Sequence, residues 1–273
     1  MSTAETSRAV RAAAHPDVLL AHRMADLADR IALSWFGRSP VTEAKADGSP
    51  VSEADLAVEA ALLDLLAKER PGDGVLAEES GSSGAPTARR WILDPIDGTR
   101  SYLAGTRAWG THIALEVEGH LTVAVFTRPA EGLRWWALSG AGAYRSTTND
   151  PLDTTRPLTL SRTARLSDAR VGGLVDPGSP CAAALAPHVR WTEDEVSVIA
   201  ALLEGRLDAV LDDGGNAWDQ APAVLLVQEA GGLFRDPEGG TRPDLGWGLY
   251  ANARLMAELM NIVRPPKMHS TPA

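Results

Sequence analysis

With a single cysteine, Cys181, this 273-residue chain has no means of forming an internal disulfide or a thiolate metal cluster. That usage is the one expected of a reducing cytoplasm. No run approaches the roughly 18 apolar residues of a membrane-spanning helix. Residues 1–14 lack an apolar signal core and read as a disordered leader, and residues 265–273 as a tail of the same kind. Positive charge is scarce: 26 Lys and Arg against 36 Asp and Glu leave a formal net charge of −10. This argues against nucleic acid or an anionic membrane as the partner. The six histidines form no H-x-x-x-H pair. His112, inside an expected strand, reads as a packing or surface residue. There is no internal repeat.

What is present is a hydrophobic fraction of 44%, punctuated by 25 Gly and 18 Pro, enough for a sizeable core in one large domain or two closely packed halves. Apolar residues at helical spacing predict helices over 18–36 and from Ser52 through Leu66, where Ser52 and Asp55 form a variant capping box. Short apolar runs at 91–93, 112–117, 121–126 and 132–138, with a hairpin signal at Gly119-His120, predict an antiparallel meander continuing to Tyr144. The polar stretch 147–156 predicts the division, giving halves at 15–149 and 150–264. Beyond it, strands are expected at 158–160, 169–174, 207–211, 233–235 and 248–250. They alternate with helices over 193–204, 219–230 and 253–263. Trp135 and Trp136 alternate faces on a strand, one ring expected in the core and the other as a dimer contact.

Four acidic groups stand at the ends of these elements: Asp55 on a helix, Glu78-Glu79 after a strand, Asp94 with Asp97, and Asp219 opening a helix. The densest is Trp91-Ile92-Leu93-Asp94-Pro95-Ile96-Asp97-Gly98-Thr99. There an apolar run delivers two carboxylates into a turn stiffened by proline. Paired carboxylates are hard oxygen ligands suited to Mg²⁺, and Gly98 and Thr99 are placed to meet an anion. Each acid alone has a plainer reading as a helix cap or a solvated edge. Their conjunction favours a site, because a hard dication takes carboxylates converging from several elements.

K-x-D-G-S-P-V-S-E-A-D-x-x-x-E at 45–59, L-A-E-E-S at 76–80, W-I-L-D-P-I-D-G-T at 91–99 and W-D-Q-A-P-A-V-L-L-V-Q-E-A-G-G at 218–232 resemble, in order, the blocks of the inositol monophosphatase family. R-P-G-D-G-V-L-x-E-E at 70–79 and R-W-W-A-x-x-G-x-G-A at 134–143 resemble its actinobacterial histidinol-phosphate phosphatase branch. The resemblance implies a layered α-β-α-β-α sandwich of mixed α+β and α/β character, of the inositol monophosphatase and fructose-1,6-bisphosphatase type. It implies two or three Mg²⁺ ions: one on Glu78, Asp94 and the Ile96 carbonyl, a second on Asp94, Asp97 and Asp219, and a weaker third reached by Asp55. Glu79 would orient the cluster. Thr99 and Glu78 would position the attacking water, the Gly98 and Thr99 amides would receive the phosphate, and the protein would be a homodimer.

The chain departs from the family pattern at four places. Ala77 replaces a glycine, a small change; Arg100-Ser101-Tyr102 stands where an asparagine is common; the Gly-Ser or Gly-Thr segment expected near 190–196 reads Arg-Trp-Thr-Glu-Asp-Glu-Val; and Asp212 stands where a glutamate is common. Carboxylates beside a leaving group suit a cationic or polyhydroxyl substrate. Asp212 and Glu195 are therefore expected to contact the part of the substrate that is not phosphate. The reading is a phosphomonoesterase for a small metabolite, with histidinol phosphate first. Inositol monophosphate, another sugar, aminosugar or cyclitol phosphate, and a nucleotide monophosphate are the alternatives. A non-catalytic binding relative is the reading from another class.

Overall fold

Apolar alternation along residues 89–147 becomes an antiparallel meander, the frame that carries Asp94 and Asp97. The computed structural model describes residues 3–38, 40–46, 48–84, 88–148, 155–176, 178–192 and 197–263. Two units divide the chain, the first ending at Pro157 and the second beginning at Leu158.

The first unit runs α1 (Thr3–Ala13), α2 (Pro16–Trp35), β1 (Thr42–Ala44), β2 (Pro50–Ser52), α3 (Glu53–Glu69), β3 (Gly74–Ala77), β4 (Gly81–Ser83), β5 (Arg89–Asp97), α4 (Thr99–Leu103), β6 (Gly110–Val117), β7 (His120–Arg128), β8 (Leu133–Leu138), β9 (Gly142–Thr147) and β10 (Arg156–Pro157). Eight strands form one sheet in the order β10-β9-β8-β7-β6-β5-β3-β4. All neighbours are antiparallel except β3 and β5, which are parallel. One face carries Trp91, Leu93, Ile113, Leu115, Val123, Val125 and Trp136, packed with Val18, Met24, Ala25 and Ala28 of α2 and Val58 and Leu62 of α3. The side chain of His15 accepts from the Asp17 amide and Pro16 occupies the first turn, so α2 begins where its apolar stripe begins.

The second unit runs β11 (Arg170–Leu174), α5 (Pro180–Leu185), β12 (Arg190–Trp191), α6 (Val198–Leu203), β13 (Ala209–Asp212), α7 (Ala217–Glu229), β14 (Gly232–Arg235), β15 (Gly248–Asn252) and α8 (Met256–Val263). Its sheet order is β12-β11-β13-β15-β14. β11 is parallel to both neighbours, and β15 is antiparallel to β13 and β14. α5 and α8 pack on the face carrying Val171, Leu211, Leu249 and Ala251. Val198 of α6 meets Gly172 on the alternate face. Among the described residues no helix is long and apolar enough to cross a membrane.

Several sequence expectations are corrected. Residues 3–13 are a helix and not a disordered leader: Ala9, Ala12 and Ala13, one helical stripe, are buried, and Arg8 donates to the Gly140 carbonyl at 2.7 Å. Alanines bury too little apolar area each to stand out as a periodic signal. The division falls after Pro157, because Arg156 and Pro157 pair with β9. The β6–β7 turn is Glu118-Gly119, both at positive φ (53° and 78°), as the type I′ form of a two-residue hairpin requires. Residues 158–160 form no strand. Both Trp135 and Trp136 are buried, stacked on Phe126 and Tyr144 respectively, so neither ring is left over for a dimer contact. The tail at 265–273 and the start of the helix expected over 193–204 lie outside the described residues.

Candidate active site

In a regular strand, residues three apart point to opposite faces, so Asp94 and Asp97 on an unbroken β5 would diverge. The register prevents this. Asp94 pairs with His112, but the next pair is Asp97 with Gly110, so β5 carries one residue more than β6 between them. Pro95 has no amide hydrogen to give the ladder, and the extra residue is the bulge that results. Thr111 Oγ1 fixes it by donating to the Pro95 carbonyl at 2.9 Å. The bulge inverts the parity, and one ligand atom from each of Asp94, Asp97 and His112 lies within 4.8 Å of the others. Asp94 is 2% exposed.

The second acidic group is built on α3. Ser52 and Asp55 form a full capping box. Asp55 Oδ2 accepts from the Ser52 amide at 2.8 Å and its hydroxyl at 2.5 Å. Asp55 Oδ1 faces the Thr99 hydroxyl at 3.2 Å, and that hydroxyl also lies 3.1 Å from the Ile96 carbonyl oxygen. A hydroxyl has one hydrogen. With two acceptors holding it, the oxygen's lone pairs remain available to accept from a water. Gly98 precedes α4 at φ 80°, the left-handed conformation that turns the chain from the second aspartate into that short helix.

Glu78 and Glu79 follow β3, which runs parallel to β5, and the Glu78 amide donates to the Leu93 carbonyl at 3.1 Å. Glu59 of α3 accepts from the Glu79 amide at 2.9 Å, so the block at 45–59 holds the acidic pair from behind. Lys45 Nζ donates to Glu78 Oε1 at 2.7 Å and Glu79 Oε1 at 2.8 Å. Burial lowers the ammonium's pKa, but the two carboxylates outweigh it and hold the group well above its ordinary range. Burial pushes Glu79 up to about 7; the Lys45 bond opposes this, and the charges of Glu78 and Asp55 add to it. Burial also raises Asp55, its hydrogen bonds to Ser52 and Thr99 oppose, and the Glu78 charge adds.

These residues fit a dication. Asp55, Glu78, Glu79, Asp94 and Asp97 offer hard oxygens, and protein cations only partly balance them. Lys45 serves the Glu pair, while Arg128 Nη1 stands 3.6 Å from Asp97 Oδ2. Acids crowded enough to raise one another's pKa are stabilised by a further positive charge.

Sequence reading missed Lys45, Arg128 and His112 as members of this centre. His112 does pack, its ring edge-on to Phe126 at 4.9 Å, but its Nε2 lies 3.4 Å from Asp97 Oδ2. The register carries the signal: Asp94, His112, Phe126 and Trp135 are successive cross-strand partners. Such partners share a face. In the second unit, Asp219 is the third residue of α7, its Oδ2 accepting from the Asn216 amide at 2.6 Å. Asp212 ends β13 and is committed to its own loop. Its Oδ1 accepts from the Gly214 and Gly215 amides at 3.3 and 3.0 Å, and its Oδ2 from Gln220 at 3.1 Å. Glu195 lies outside the described residues.

By its family and its relatives the chain is a phosphoric monoester hydrolase. Residues 18–266 match the inositol monophosphatase family, and the chain belongs to it. A histidinol-phosphatase of Mycobacterium tuberculosis is 35% identical, over 90% of this chain and 97% of that protein. A Streptomyces griseus protein named glucose-1-phosphate thymidylyltransferase is 54% identical, over 91% of this chain and 96% of its own. The crystal structure of the extragenic suppressor protein suhB from Bartonella henselae superposes with a TM-score of 0.80 at 26% identity, covering 90% of this chain and 97% of that one.

Proposed function

We propose that the protein hydrolyses a small phosphomonoester in a Mg²⁺-dependent reaction, with histidinol phosphate the first substrate to test. The observation that carries the chemistry is the β5 bulge, which turns Asp94 and Asp97 to one face. In this reading Glu78, Asp94, the Ile96 carbonyl, Asp97 and Asp219 hold two ions, and Asp55 serves a third. Bound dications neutralise charge on the phosphoryl oxygens and lower the pKa of water. The chain's own groups do the rest. Glu78 takes a proton from the attacking water while Thr99 Oγ1 accepts its other hydrogen, and the Gly98 and Thr99 amides cradle the phosphate. Lys45 holds Glu78 and Glu79 in place. Asp212 shapes the 213–215 loop ahead of Asp219. Glu195 remains the proposed contact for a cationic leaving group. We place the enzyme in the cytoplasm, in keeping with its single cysteine, and as a homodimer, as the family resemblance implies.

Histidinol phosphate is supported by the Mycobacterium tuberculosis relative. A second reading is a sugar phosphate, favoured by the name of the Streptomyces griseus relative. Release of inorganic phosphate from a panel of histidinol, inositol, sugar and nucleotide phosphates, beside pyrophosphate release from dTTP with glucose 1-phosphate, separates these readings. Phosphate release with Mg²⁺ and no pyrophosphate is expected. Asp94→Asn removes one ligand at nearly constant volume, so turnover is expected to fall at least about a thousandfold, with circular dichroism unchanged. Undiminished turnover in that variant would overturn the mechanism.

A further inference from the structure

The proposed centre uses oxygen ligands alone, yet the bulge points its acids at an imidazole. Asp94 and His112 are direct cross-strand partners, so their side chains leave the sheet on one face. Asp97 joins them through the extra residue, and one atom from each of the three lies within 4.8 Å of the others. Ligand atoms around one ion, each bonded at about 2.1 Å, stand roughly 3 to 4 Å apart. The 3.4 Å between His112 Nε2 and Asp97 Oδ2 falls in that span and beyond a good hydrogen bond. The ring is also held: His112 meets Phe126 edge-on at 86°, and Phe126 is stacked on Trp135 at 4.9 Å. A ligand fixed by packing keeps its aim without the ion.

We propose that His112 Nε2 is a ligand of the ion held by Asp94 and Asp97, adding an imidazole to that position's carboxylates, a donor set that favours a first-row transition dication over Mg²⁺. This rests on the metal-dependent reading above. Carboxylate and water suit Mg²⁺, whereas imidazole suits the borderline transition ions. Mg²⁺ still fits the oxygens, so the imidazole changes preference and not the ability to bind. Arg128, beside the same Asp97 oxygen, weakens every dication there by its charge and therefore leaves the preference to His112.

The test uses the full-length protein. In pulsed EPR of the Mn²⁺-loaded wild type, a directly bonded imidazole ¹⁴N coupling is expected; its absence overturns the proposal without needing a variant. In equilibrium competition, the preference for Co²⁺ over Mg²⁺ is expected to fall about 10–100-fold in His112→Leu, which keeps an apolar side chain against Phe126. An unchanged preference in a folded variant also overturns it. If ions bind and Asp94→Asn loses them while His112→Leu keeps the preference, the nitrogen ligand fails and the phosphatase reading stands. If the wild type binds no dication, both fail.

Discussion

Gly98 stands between the second aspartate of the bulge and the first turn of α4, and two separate constraints require that it lack a side chain. Its φ of 80° is left-handed, and an added Cβ would lie 2.7 Å from the Ala108 carbonyl oxygen. Strain of the first kind alone is worth about 1–2 kcal/mol. Gly98→Ala is therefore expected to lower the unfolding free energy by about 2 kcal/mol or more in urea titration, and to depress turnover because Thr99 moves with it. A wild-type urea midpoint would refute this. Asp212 offers a test by pH. Burial raises its pKa from 3.8 to about 6, against the bonds from Gly214, Gln220 and Gly215. A carboxyl that binds its proton more tightly folded than unfolded makes stability fall as pH rises from about 4 to about 6. Asp212→Asn removes that titration, so the variant's stability relative to wild type is expected to increase across the same window. A pH-independent difference would show that Asp212 does not titrate in this way.

At the scale of elements, the site depends on one misalignment between two strands. Inserting one residue after Thr111 in β6 would restore equal counts between the pairs Asp94–His112 and Asp97–Gly110, and so return Asp97 to the face opposite Asp94. The variant is expected to keep its far-ultraviolet circular dichroism but lose dication binding, as Asp97→Asn would. Binding at wild-type strength would show that the bulge is not what aims the acids. This bulge also marks the limit of what was legible in the sequence. Helices α2, α3 and α7 and the meander from β5 to β9 followed from spacing, because their apolar period is carried by large residues. The two acids were legible as ligands from Asp-Pro-Ile-Asp. That both can point to one site was read from the proline-stiffened turn; the bulge that turns them there was not, since strand parity says the reverse and only the pairing with β6 shows it. Lys45, Arg128 and His112 were missed for a related reason: each acts through a partner more than a dozen residues away. Helix α1 went unseen because its buried stripe is alanine.

At the scale of the whole molecule, the proposed ligands are divided between the two units, with Asp55, Glu78, Asp94 and Asp97 in the first and Asp219 in the second. An ion that binds only the folded protein stabilises every segment whose opening would release it, by about 2.7 kcal/mol at a hundredfold excess over its dissociation constant. Under the proposed ligand set, ligation by Asp219 would make the opening of α7 sensitive to an ion otherwise held by β5 and α3 residues. Amide hydrogen exchange reads this segment by segment. Adding Mg²⁺ is expected to slow exchange in the first turns of α7 as well as around residues 94–99. In Asp219→Asn the α7 protection should vanish while that around 94–99 persists in weakened form. Protection confined to the first unit in the wild type would show that Asp219 only caps its helix through the Asn216 amide, and that the ion's ligands all come from the first unit.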